Sequence, residues 1–166
     1  MLTLIFTSAF LAIFEKNQHN GRVVLPLLKT ITLLMNRVCI DQLINDTLFS
    51  ATLSSRLREE EVECKDVHRL TAIVNVSLGL LGSTNRNQKD SLAFVCKMLM
   101  HPFPRVRRIA AENFYIRLIE DPEMDSTDPA LALLLTNPWD GDEPEPKVRE
   151  MAMEVAKALG VDSLML

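Results

Sequence analysis

The strongest constraint on the fold is a segment that occurs more than once. Pro104-Arg105-Val106-Arg107-Arg108-Ile109-Ala110-Ala111-Glu112 aligns with Pro146-Lys147-Val148-Arg149-Glu150-Met151-Ala152-Met153-Glu154 at an offset of 42 residues. Asp66-Val67-His68-Arg69-Leu70 aligns with Arg105 to Ile109 at an offset of 39, and Arg22-Val23-Val24-Leu25-Pro26 falls near the next earlier step. Each segment opens a run with helical apolar spacing. Val148, Met151, Ala152, Val155 and Leu159 form one stripe, as do Val106, Ile109, Ala110, Phe114, Leu118 and Val67, Leu70, Val74, Leu78, Leu81.

A period of about 40–47 residues with two helices per unit belongs to HEAT and armadillo repeats, whose units bury their apolar faces against one another. The expected fold is all-α, a HEAT/armadillo-like α-solenoid of about four helix pairs: 2–17 with 22–37, 41–58 with 66–82, 88–100 with 104–120, and 129–136 with 146–159. The breakers fit this division. Pro26 is tolerable in a first turn, Asp66 can cap a helix, Pro104 presets φ, and Gly82 and Gly160 suit the left-handed residue after a helix. Asn137 to Pro146 reads as the longest loop. At 166 residues with 48% hydrophobic content, the chain is expected to form a single domain, 1–166, at the end of a longer solenoid. Residues 2–14 are apolar on more than one side, so one face of that helix is expected to remain exposed unless a preceding repeat covers it.

Composition and motifs narrow the function. A net charge of −4 lacks the basic excess that nucleic-acid binding requires. Met1 to Phe14 is too short for a membrane span, and three cysteines without CxxC spacing suit a reducing compartment. Asn45 and Asn75 stand in accidental glycosylation patterns. Phosphate-loop, dinucleotide, zinc-protease and serine-hydrolase motifs are absent, and the histidines are widely spaced. No enzyme activity, cofactor or metal is expected. The acidic runs 59–63 and 120–128 read as solvated surface, and the eight methionines as core fillers.

The candidate partner-binding residues are Arg105, Arg108, Tyr115, Arg117 and Trp139. Arg108 and Tyr115 lie two turns apart on one face, off the Val106 stripe. Arg107 and Arg149, beside the repeated valines, are expected to pair with an acid of a neighbouring repeat. Trp139, the single tryptophan, is either an exposed anchor or packed against the last repeat.

Residues 24–30 (Val-Leu-Pro-Leu-Leu-Lys-Thr) with Leu33-Leu34, Met98 to Arg107 with its His-Pro-Phe-Pro core, Trp139-Asp140, Val148-Arg149-Glu150 and Leu159-Gly160-Val161 resemble the C-terminal region of the tubulin folding cofactor D (tubulin-specific chaperone D) family, over about residues 11–162. That resemblance implies a long solenoid that captures β-tubulin, works with the other tubulin folding cofactors and an Arf-like small GTPase, and with those cofactors stimulates GTP hydrolysis by tubulin. It also implies a cytoplasmic, microtubule-associated setting. The alternatives are a repeat scaffold unrelated to tubulin and a GTPase-regulating module in which Arg105 or Arg108 acts as a finger.

Overall fold

The computed structural model describes residues 2–35, 47–82, 87–120 and 128–161. Among them are eight α-helices and no strand: α1 Leu2–Lys16, α2 Gly21–Met35, α3 Thr47–Glu61, α4 Val67–Gly79, α5 Asn87–Met98, α6 Pro104–Glu120, α7 Asp128–Thr136 and α8 Glu145–Ala158. A 3₁₀ turn, Leu80–Gly82, prolongs α4. These are the helices expected from the apolar spacing, with small shifts at their ends where described. The expected helix ends at 36–37 and 41–46 lie outside the described residues, as do Cys39, Asn45 and acidic residues 121–127.

The chain divides into two compact units, Met1–Ser91 and Leu92–Leu166. In the first, α1 packs on α3 and α2 on α4, with lesser contacts between α1 and α2 and between α3 and α4. Val24, Leu27, Leu28 and Ile31 form the buried stripe of α2, and Phe49, Leu53 and Leu57 that of α3. Leu70, Val74, Leu78 and Leu81 are buried as their spacing requires, whereas Val67 is half-buried. Pro26 stands inside α2 rather than in its first turn, because the helix begins at Gly21 and continues through it. It therefore removes the donor for the Arg22 carbonyl, on the exposed side of the helix where that loss costs least. A Cβ on Gly79 would come within 2.6 Å of the Met35 sulfur, so glycine permits the close approach of α2 and α4.

The acidic run at the end of α3 is not uniformly solvated. Glu60 is wholly buried, because it continues the Phe49, Leu53, Leu57 stripe one turn further. Arg69 Nη1 donates to Glu60 Oε1 at 2.8 Å and the His19 main-chain N–H to Oε2 at 2.7 Å. Arg69 Nη1 also donates to the His19 carbonyl at 3.1 Å, and its Nε lies 3.0 Å from Cys64 Sγ. The α1–α2 turn is thus tied to the α3–α4 connection through one carboxylate. Burial lowers the Arg69 pKa, but the Cys64 sulfur and the Glu60 and Asp66 carboxylates outweigh it, leaving the net shift upward. Asp66 caps α4 by accepting the His68 N–H at 2.9 Å. Towards the end of α1, Phe14 is buried and Ile13 is 42% exposed. The side chains of residues 1–6, which the sequence made part of an uncovered apolar face, lie outside the described residues.

In the second unit α7 packs against both α6 and α8. Val106, Ala110, Phe114 and Leu118 of α6 are buried, as are Val148, Met151, Ala152 and Val155 of α8. Ile109 and Leu159 are half-buried. Gly160 ends the last helix at φ 67°, in the left-handed region expected of it.

Val106→Asp and Val148→Asp each place a charge within an apolar stripe, and each should lower stability by on the order of 3 kcal/mol or more in thermal or urea unfolding. Burial pushes the Cys96 thiol from 9.0 up to about 12. A raised folded pKa gives stability that is complete below the unfolded value and is lost as pH climbs through the folded one. Urea midpoints should therefore fall between pH 9 and 12, and Cys96→Ala should flatten that decline relative to its own value at neutral pH.

Candidate partner-binding cleft

The second unit is organised around a buried arginine. Arg107 projects from the first turns of α6 and is 5% exposed. Its Nη1 donates to the carbonyls of His101 (3.0 Å) and Pro102 (3.2 Å), its Nε to Trp139 O (3.1 Å) and its Nη2 to Gly141 O (2.7 Å). Burial lowers its pKa, partly countered by Asp142. The expected ladder to an acid of a neighbouring repeat is thus replaced by four main-chain carbonyls. The reason is geometric, since the planar fork of donors meets carbonyls converging from the turn before α6 and the turn after α7.

Arg107 thereby fixes the turn after α7 against α6. The Trp139 indole N–H donates to Leu134 O at 2.9 Å and the residue is 4% exposed, so it packs into the unit and does not stand out as an exposed anchor. Between this turn, α6 and α7 lies a cleft of about 380 Å³, whose lining includes Arg108, Tyr115, Ile116, Leu135, Trp139 and Asp140. Ile116 is 52% and Leu135 64% exposed, so its rim carries apolar side chains open to solvent. Arg108 bridges the two walls, with Nε 3.1 Å from Glu112 and Nη1 3.6 Å from Asp140. Both pairs are exposed and contribute little to stability, which leaves Arg108 able to exchange partners.

Three of the five sequence candidates, Arg108, Tyr115 and Trp139, therefore meet in one cleft. Arg105 is exposed at the start of α6 and Arg117 is half-buried near its end; neither lines it. Arg149 is exposed on α8 with no acid paired to it among the described residues. The Glu60 and Arg107 clusters were not among the sequence candidates, although Glu60 was detectable from its register with Leu57. Among the described residues no group of three or more His, Cys, Asp or Glu side chains is arranged to hold a metal ion, and no helix is long and apolar enough to cross a membrane.

These features define an all-α protein whose second unit carries an open, partly apolar cleft set by main-chain contacts. Residues 2–69 match the family model described as tubulin folding cofactor D C terminal, which places the resemblance seen in the sequence on a defined segment. That segment runs from α1 through the first residues of α4 and includes the Leu25 to Lys29 motif and both members of the Glu60–Arg69 pair. The His-Pro-Phe-Pro segment and the Trp139 turn lie outside the matched residues. No solved structure matches the chain.

Replacing Arg107 with methionine leaves buried carbonyls without donors and should cost on the order of 3 kcal/mol. Arg107→Lys should recover only part of that loss, because an ammonium lacks the planar fork. Urea unfolding of the two variants beside the parent measures both effects.

Proposed function

We propose that this chain is a protein-binding module of the tubulin folding cofactor D type, which helps hold β-tubulin during assembly of the tubulin heterodimer and performs no bond chemistry of its own. The match of residues 2–69 to that family carries the proposal. The solenoid architecture is part of the same reading. It is supported by the packing of α1 on α3 and α2 on α4, the contact pattern of two stacked helix pairs, and by the repeated openings of α6 and α8. The whole chain then acts as one HEAT-like domain in the cytoplasm, with the other tubulin folding cofactors and an Arf-like small GTPase as further partners.

The cleft of the second unit is the proposed contact surface, with Arg108 and Tyr115 in its lining and Arg105 exposed on α6 three residues before Arg108. Tyr115 is half-buried and supplies the large, rigid contact area that interfaces favour. The test is a binding titration of the purified chain against αβ-tubulin and against β-tubulin released from the heterodimer. A complex is expected with β-tubulin, and the triple variant Arg105→Ala, Arg108→Ala, Tyr115→Ala should bind about tenfold or more weakly at unchanged helicity. Failure of the parent chain to bind either form of tubulin would overturn the proposal, and equal affinity for parent and variant would remove the cleft from it.

Arg105 favours a second reading, because it is exposed at a helix start and has no ion-pair partner among the described residues. A cation placed so could enter a nucleotide site. Single-turnover GTP hydrolysis by tubulin and the other cofactors, with the chain added as parent or Arg105→Ala, separates this reading from binding alone.

A further inference from the structure

The offset of 42 residues between α6 and α8 describes buried positions and open ones alike. Val106 and Val148, Ala110 and Ala152, Phe114 and Ala156 are equivalent pairs, and all six residues are buried. The face of α6 containing Arg108, Ala111, Glu112 and Tyr115 lines the cleft shared with α7 and its turn. Its equivalents on α8, namely Glu150, Met153, Glu154 and Lys157, line an open groove of about 690 Å³. Ala111 is 2% exposed beneath its neighbours, whereas Met153 is 39% exposed. Arg107 is buried on four carbonyls. Its equivalent, Arg149, borders the α8 groove and has neither a hydrogen bond nor an ion pair among the described residues.

We infer that this face of α8 is a docking surface for a helix and its closing turn from another polypeptide, seated as α7 and its turn are seated on α6. The chemistry of the occupant follows from the equivalence. Arg149 supplies a fork of donors, so the turn must direct main-chain carbonyls at it, which the end of a helix does because its last carbonyls lack intrahelical partners. Met153 adapts its unbranched side chain to an apolar helix face. The charge opposite the turn is inverted: Arg108 faces Asp140 at 3.6 Å, but the residue at its position on α8 is Glu150. The occupant therefore carries Lys or Arg where the α7 turn carries Asp140. A second copy of this chain does not meet that requirement, since its turn presents Asp140 and is already held by its own Arg107.

The test does not depend on identifying the natural partner. Two peptides spanning residues 128–143, stapled to hold the helix, are prepared with the native sequence and with Asp140→Lys, and each is titrated into the isotopically labelled full chain. The Asp140→Lys peptide should shift the Met153 methyl and Arg149 side-chain resonances and bind about tenfold more tightly than the native peptide. Arg149→Ala should weaken its binding about tenfold, and Glu150→Lys should reverse the preference between peptides. Arg149 has no partner to lose among the described residues, so unchanged circular dichroism is expected for Arg149→Ala. Absence of shifts at α8 up to millimolar peptide, equal affinity for the two peptides, or shifts confined to α6 would overturn the inference. So would self-association, measured by sedimentation, that disappears in Arg149→Ala.

Discussion

A helical protein satisfies its main chain within each helix and leaves the ends unpaired, so the turns are where a helix bundle must find additional hydrogen bonds. Here a buried charge performs that task in each unit. Glu60 accepts from the His19 main chain and from Arg69, and Arg107 donates to carbonyls of two separate turns. A buried ion is costly unless its polar atoms are met, so each ion restricts its turn to positions that meet them. The helices supply apolar faces and the two ions set where the connecting chain lies across them. The cleft beside Trp139 follows from this, because its wall is a turn whose carbonyls are held by Arg107.

The helices themselves were readable from the sequence because apolar spacing reports burial directly. The Val106 and Val148 stripes, the Asp66 cap and the Gly160 terminus all have the physical roles their positions implied. Partner choice for charged residues was less legible. Arg107 and Arg149 occupy equivalent places in a repeated segment, yet one is enclosed by carbonyls and the other is open. The difference arises from what packs beside them, which local sequence does not encode. Glu60 illustrates the opposite error. Its neighbours in an acidic run suggested solvent, while its three-residue spacing from Leu57 pointed inward, and burial followed the spacing. For the cleft, the relation of Arg108 to Tyr115 was contained in one helix, but the approach of Trp139 and Asp140 depended on the turn after α7.

The matched segment and the cleft occupy different units. Residues 2–69 hold the Glu60–Arg69 pair and its surroundings, whereas the cleft is built after residue 100. The family match therefore falls within the first unit, while the location of the proposed contact surface is drawn from the geometry of the second.

His19 adopts φ 64°, a left-handed conformation that costs a non-glycine residue roughly 1–2 kcal/mol. Its main-chain N–H and carbonyl are both engaged, by Glu60 and Arg69, while its side chain is 54% exposed. The turn is consequently held chiefly through its backbone. Its imidazole Nδ1 also lies 3.5 Å from Glu60 Oε2, so glycine or asparagine here keeps the main-chain latch but loses that contact, and aspartate sets a second carboxylate beside Glu60. Proline is barred by the missing N–H, and β-branched residues are barred by their crowding in that conformation. Position 19 is thus constrained first in backbone type and second by what its side chain sets beside a buried carboxylate.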